Sequence, residues 1–179
     1  MAASRRLFFA LWPPEAVAGR LHDAAKDAHA ACGGRLMRRE TLHITLAFLG
    51  DVAEAAVATA EAVAAAVSVE PFVLDIDRLA LWRHNRILWA GCASAPPALL
   101  LLADRLGHEL RAAGFRLEER PFAAHATLLR EAHCPAGVPL LAAPIRWEAT
   151  DYALIESHTA TGGSRYEVLR RWPLVAGID

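Results

Sequence analysis

The sequence predicts a two-lobed fold that combines helices and strands in one unit of 179 residues. Three observations lead there. A four-residue phrase occurs twice, as His43-Ile44-Thr45-Leu46 and His125-Ala126-Thr127-Leu128, with the second histidine 82 positions after the first. That is a little under half the chain, the offset that a duplicated lobe produces. Segments of helical period are interspersed with short apolar runs of strand character. No flexible linker divides the chain, so residues 1–179 read as a single bilobal domain with a cleft along a pseudo-twofold axis.

Residues 6–12 read as the first strand. Pro13-Pro14 then opens a helix over 15–31 that Cys32-Gly33-Gly34 ends. Residues 42–49 make the first motif strand, Gly50-Asp51 breaks it, and the Ala-rich run 52–67 is helical by propensity. From Pro71 the pattern turns to strands over 72–82 and 86–92, joined as a hairpin across His84-Asn85. Residues 98–113 carry Leu99, Leu102, Leu106 and Leu110 at three- and four-residue spacing, a helix with one buried stripe that stops at Gly114. The second motif strand spans 124–130. After the Pro- and Gly-punctuated stretch 134–144, long strands at 145–158 and 165–172 meet through a turn at Thr161-Gly162-Gly163.

A hydrophobic content of 55% suits a soluble chain that buries a substantial core. The net charge of −1 supplies no global basic field of the kind non-specific nucleic-acid binders use, so any contact with nucleic acid is local. Three cysteines, Cys32, Cys92 and Cys134, are odd in number and lack CxxC spacing, which argues against a disulfide framework and a zinc knuckle and for a reducing cytoplasm. The apolar run after Arg5-Arg6 is too short for an export signal, and no segment approaches transmembrane length. A cytoplasmic monomer with no membrane contact and no obligate protein partner is the expectation.

Alternation along a strand puts His43 and Thr45 on one face and Leu42, Ile44, Leu46 and Phe48 on the other, and His125 and Thr127 repeat the pattern. Either copy alone reads as a structural histidine on a half-buried strand. Two copies in matching context read as chemistry. Histidine titrates near neutrality, so one can serve as base and the other as acid, with a bell-shaped rate profile around neutrality. The threonine hydroxyls can donate to an anionic oxygen held between them. The set suits in-line displacement at phosphorus with no metal and no cofactor, and the sequence contains no HExxH, acidic cluster or Cys/His ligand set.

Arg130 is the best additional phosphate contact, although strict alternation places it opposite His125 unless the strand twists, bulges or ends there. Phe8, Trp82, Trp89 and Tyr166 are candidates to stack on a base, with core packing as the competing role. His22, His29, His84, His108, His133 and His158 read as incidental.

The chain resembles the 2H phosphoesterases, named for two HxTx motifs, and within them the bacterial RNA 2′,3′-cyclic phosphodiesterases, or 2′-5′ RNA ligase-like proteins. The resemblance rests on Arg6-Leu7-Phe8-Phe9-Ala10, on Leu42 to Gly50, on Arg120-Pro121-Phe122 leading to His125 through Arg130, and on Arg165-Tyr166 with Leu169 to Trp172. It implies an α+β fold in which two antiparallel sheets face a central cleft about a pseudo-twofold axis, with one HxTx motif from each, and helices pack outside. It implies metal-independent opening of a 2′,3′-cyclic phosphate on an RNA end or small nucleotide to a 2′-phosphomonoester. By position, His43 resembles the proton donor, His125 the proton acceptor, and Thr45 and Thr127 the phosphate ligands. The family often has His-Pro before the second histidine and a bulky aliphatic after it, where this chain has Ala123-Ala124 and Ala126. Joining of RNA ends through a 2′-5′ linkage in the same site, and non-catalytic binding of RNA ends or cyclic nucleotides, are the alternative readings.

Overall fold

A computed structural model describes residues 3–176. Ten strands, three α-helices and one short 3-10 helix follow in the order β1 (Ser4–Leu11), α1 (Glu15–Cys32), β2 (Arg35–Leu36), η1 (Arg39–Thr41), β3 (Ile44–Ala53), α2 (Glu54–Ala66), β4 (Phe72–Ile76), β5 (Arg78–Trp82), β6 (Ile87–Gly91), α3 (Pro97–Ala112), β7 (Ala126–Arg130), β8 (Ile145–Ala149), β9 (Asp151–Ala160) and β10 (Gly163–Pro173). The α+β class with two antiparallel sheets holds, but the motif strands β3 and β7 both lie in the larger sheet rather than one in each. The larger sheet runs β10-β9-β1-β3-β7-β6-β5 with β2 also on β7, and β4 pairs β8 in the smaller one. The two lobes are the halves of the larger sheet. They meet at β3 and β7, the motif strands, through the pair Ile44↔Ala126.

Each helix is present for the reason its sequence gives. α1 buries Val17, Ala18, Leu21, Ala25, Ala28 and Cys32, one stripe at three- and four-residue steps. α3 has Pro97 at its first turn and buries Leu99, Leu102, Leu106 and Leu110. It ends in a Schellman motif: Gly114 sits at φ 94°, its N–H donates to the Arg111 carbonyl, and the Phe115 N–H donates to that of Leu110. The three helices pack on one face of the sheet, in an apolar cluster that takes Leu7, Phe9 and Leu11 from β1. The alternate residues Phe8 and Ala10 point the other way into a small second cluster with Ala153 and Ile155, against which Trp12 and Tyr166 pack. Tyr152, fully buried, ties the layers by donating its hydroxyl to the Ala64 carbonyl near the end of α2 at 2.6 Å.

Several boundaries differ from expectation. Gly50-Asp51 does not end the first motif strand: β3 continues to Ala53 because Ser4 to Leu7 of β1 pair with it, and Gly50 takes φ 69° within the ladder. The run 72–82 divides at Asp77, whose carboxylate accepts from the Ala93 N–H at 2.7 Å. The run 145–158 divides at Thr150, whose carbonyl accepts from the Leu174 N–H at 2.8 Å. Both long strands split because each serves two sheets, its first part building β4-β8 and its second part the larger sheet. No helix is long and apolar enough to cross a membrane among the described residues.

The cysteine expectation is corrected. Cys32, at the end of α1, and Cys134, after β7, form a disulfide across a separation of 102 residues, leaving Cys92 free. Counting cysteines could not foresee this, because the pair depends on the α1 terminus lying beside the segment beyond β7, where the His133 N–H donates to the Cys32 carbonyl at 2.9 Å. Thiol titration of the non-reduced protein in denaturant is expected to find one reactive cysteine, and three after reduction; three before reduction would show the pair to be open.

Candidate functional site

Both motif histidines stand one residue ahead of their strands, and the same local device holds each ring. His43 Nδ1 donates to the Thr41 carbonyl at 2.7 Å, and His125 Nδ1 donates to the Ala123 carbonyl at 2.8 Å. A carbonyl can only accept, so Nδ1 carries a proton in both and Nε2 is the nitrogen left for chemistry. At His43 that nitrogen meets the Thr45 hydroxyl at 3.1 Å.

The pairing of Ile44 with Ala126 brings the two devices together. Both side chains are buried in the core. Their neighbours in sequence must leave the opposite face, and His43, Thr45, His125 and Thr127 line one cleft of about 340 Å³ there. One step along an antiparallel register sets His43 across from Thr127 and Thr45 across from His125. Ala126 is also the partner of Ala90 on β6, so small side chains let β7 fit between β3 and β6 at the point where the lobes join.

The motif strands then break alternation in the same way. On β3, Phe9 pairs Ala47 but Ala10 pairs Thr45, which makes Leu46 an extra residue. On β7, Leu88 pairs Leu129 but Trp89 pairs Thr127, which makes Leu128 an extra residue. A bulge reverses the facing beyond it. Leu46-Ala47 and Leu128-Leu129 are therefore both buried in succession, and the residues five after each histidine, Phe48 and Arg130, turn into the cleft. Arg130 reaches the site by the route that alternation forbids and a bulge permits. Phe48, expected on the core face, is 37% exposed on the cleft side, with the Arg6 guanidinium 4.9 Å from its ring centre.

Aromatic rings surround the two imidazoles unequally. His43 lies 4.9 Å from Phe8, 5.3 Å edge-on from Tyr166, and is stacked on Trp12 at 5.4 Å with 10° between planes. His125 has Trp82 at 4.5 Å and Trp89 at 6.3 Å. Phe8 is almost fully buried and backs His43, while Trp82 and Tyr166 keep partial exposure. Trp89 is also buried, with the Arg78 guanidinium 5.2 Å from its ring centre. Burial is the largest influence on both histidines. It pushes His43 down to about 4, opposed by its bond to Thr41 and aided by positive charge at His125 and Arg130. It also lowers His125, opposed by the bond to Ala123 and aided by Arg130 and Arg120.

Sequence reasoning missed Trp12, Phe48, Arg6, Met37, Ile87, Ser157 and Ser164 around this cleft. Only Phe48 left a signal, since aligning the two copies matches it to Arg130. No carboxylate or thiol lines the cleft among the described residues. Among the described residues, the one group able to offer three metal ligands, Glu156, His158 and Glu167, lies outside that lining, and its atoms are engaged: Arg5 Nε donates to Glu156 at 3.0 Å, and His158 Nε2 sits 3.3 Å from Glu167.

The site thus sets two imidazoles with matched tautomers beside the motif hydroxyls of Thr45 and Thr127 and the guanidinium of Arg130 in one small cleft, a set that can bind a phosphate and move a proton at each side of it. The family model for LigT-like phosphoesterases matches residues 11–89. The RNA 2′,3′-cyclic phosphodiesterase of Escherichia coli K12 is 30% identical over 174 residues, which cover 97% of this chain and 99% of that one. The enzyme of the same name from Bacillus subtilis 168 is 26% identical, over 90% and 92%. The crystal structure of E. coli LigT complexed with 3′-AMP superposes with a TM-score of 0.89 at 30% identity, covering 97% of this chain and all of that one. With a relative this similar along nearly its whole length, and with a cleft built from two HxTx motifs, the chain belongs to the LigT-like phosphoesterases of the 2H family.

Proposed function

We propose that the chain acts as one bilobal cytoplasmic enzyme that opens 2′,3′-cyclic phosphates on RNA ends or small nucleotides, leaving a 2′-phosphomonoester and requiring no metal. The observation that carries this is the pair of histidines whose Nδ1 atoms are both tied to carbonyls two residues back, so that two Nε2 atoms serve one cleft with two threonines and an arginine. The name borne by the E. coli and B. subtilis relatives supports the substrate class. The absence of carboxylates and thiols from the lining supports chemistry carried by the histidines themselves. In the cytosol the Cys32–Cys134 pair would face a reducing pool.

In this reading, Thr45, Thr127 and Arg130 hold the non-bridging oxygens of the cyclic phosphate. His125 Nε2 takes a proton from water, whose oxygen forms the new bond to phosphorus. The bond from phosphorus to O3′ breaks in line, and O3′ receives the proton of His43 Nε2. The products are a 2′-phosphate and a free 3′-hydroxyl, and exchange with solvent restores both imidazoles.

With excess EDTA present, the purified protein is expected to convert adenosine 2′,3′-cyclic phosphate to the 2′-phosphate. His43→Ala and His125→Ala should each lower kcat by about 10² to 10⁴-fold, and Thr45→Val or Thr127→Val by about tenfold or more. Full rates in both histidine variants would end the proposal. Ligated product in the presence of a 5′-hydroxyl RNA would instead assign end joining, and tight binding without turnover, unchanged by either histidine substitution, a binding module.

The pH profile follows from the burial of the imidazoles. The free enzyme needs one charged and one neutral histidine, and burial holds His43 at about 4 and His125 below 6.5. The optimum of kcat/KM is therefore expected on the acid side of pH 6.5 rather than at neutrality. A bound phosphate anion favours the imidazolium form, so the optimum of kcat should lie at higher pH than that of kcat/KM. An optimum of kcat/KM above pH 7.5 would contradict the assignment.

A further inference from the structure

The central cleft shares walls with a second groove of about 350 Å³, which the two-histidine reaction uses only through the shared Arg130. Arg35, Arg38 and Arg130 line it, no carboxylate does, and Arg130, Thr41 and Tyr166 are walls common to both spaces. Arg35 and Arg130 are direct cross-strand partners in the short ladder between β2 and β7. Partners of an antiparallel pair leave the same face of the sheet, and like charges placed so repel. Neither forms an ion pair among the described residues. The backbone is shaped to bring them together: Gly34 takes φ 85°, and a Cβ there would lie 2.5 Å from the Arg130 carbonyl oxygen. Arg38 closes the groove by donating to the Ser164 carbonyl in the β9-β10 hairpin at 2.8 Å.

The opening on the other side of the cleft differs in charge. There Asp104 and Glu118 stand with Arg111 and Arg120, and Arg120 is matched to Glu118 at 2.7 Å. Arg38 is itself matched by Glu40 at 3.6 Å, so the uncompensated positive charge next to the reacting phosphate is that of Arg35 and Arg130, on the side of the Arg35 groove.

We propose that this groove is a second phosphate site, which takes the phosphate on O5′ of the terminal nucleoside while the cyclic phosphate sits between His43 and His125. The inference rests on the cyclic phosphodiesterase reading. Its ligand is either the internucleotide diester of an RNA chain or the 5′-monoester of a nucleotide, one chemistry from two sources. Guanidinium pairing makes the protein favour chains over bare nucleoside cyclic phosphates.

Four substrates test it: adenosine 2′,3′-cyclic phosphate, its 5′-phosphorylated form, a diadenosine ending in the cyclic phosphate, and that dinucleotide with a neutral methylphosphonate linkage. At least one substrate with an O5′ phosphate should exceed adenosine 2′,3′-cyclic phosphate in kcat/KM by about tenfold or more, the worth of one charge-assisted contact. A gain with the dinucleotide that the methylphosphonate abolishes assigns RNA; a gain confined to the 5′-monoester assigns nucleotides. Added salt should weaken the preferred substrate more steeply, by about 0.7 in the log-log slope. Arg35→Ala with Arg38→Ala should erase the preference and leave adenosine 2′,3′-cyclic phosphate within about twofold of its original rate. Arg35→Gln alone, which spares the Arg38 tie to Ser164, should erase part of it. Equal kcat/KM for all four substrates, or a double variant that slows all equally, would overturn the site. Should nothing turn over, the hydrolase reading fails on its own. Equilibrium binding of the corresponding 2′-phosphate products then decides the second site, and equal affinities with and without the O5′ phosphate overturn it.

Discussion

The pairing of Ile44 with Ala126 is the constraint from which the site follows. It is the only registered pair between β3 and β7, yet it fixes three things together. It joins two four-stranded half-sheets into one, it sends two apolar side chains into the helix-covered core, and it turns the flanking histidines and threonines to the other face. A slip of one residue would send His43 or His125 into the core, where an uncompensated polar ring costs several kcal/mol. Apolar packing beneath the sheet thus enforces the facing of the polar groups above it.

Seen from that pair, the alanines around the second motif have a structural meaning. Ala126 has Ile44 on one side and Ala90 on the other, fully buried between strands. Ala123 contributes only its carbonyl to the site, as Thr41 does in the first copy, and a backbone acceptor does not depend on the side chain that carries it. The substitutions relative to the common family pattern therefore leave the orienting device of His125 intact.

Much of this was legible in the sequence because it depends on local rules. The leucine stripe of α3, the stop at Gly114 and the shared facing of His43 with Thr45 all follow from periodicity and from a glycine at positive φ. What escaped depends on partners far along the chain. β3 outlasts Gly50 because β1 is there to pair with it, and the long runs through Asp77 and Thr150 divide because two sheets claim their parts. The bulges at Leu46 and Leu128 are visible only in the register against β1 and β6. Those bulges brought Phe48 and Arg130 into the cleft, and the meeting of Cys32 with Cys134 likewise required the fold.

Matched supports for the two histidines pose a chemical difficulty, since an acid and a base must differ while the bonds that hold them are alike. The difference is made by what packs on each ring. His43 sits against Phe8, Trp12 and Tyr166, an apolar enclosure that disfavours the imidazolium until an anion compensates it. His125 meets Trp82 edge-on and lies beside the mixed-charge opening. Under the proposed roles, the substrate's own phosphate supplies the negative charge that lets His43 hold its proton, so the acid forms only when there is a leaving group to protonate. His125 needs no such help, because a neutral imidazole is the state in which a base must begin. One orienting bond, made alike by both motif histidines, thus yields two functions through unequal burial of the rings it holds.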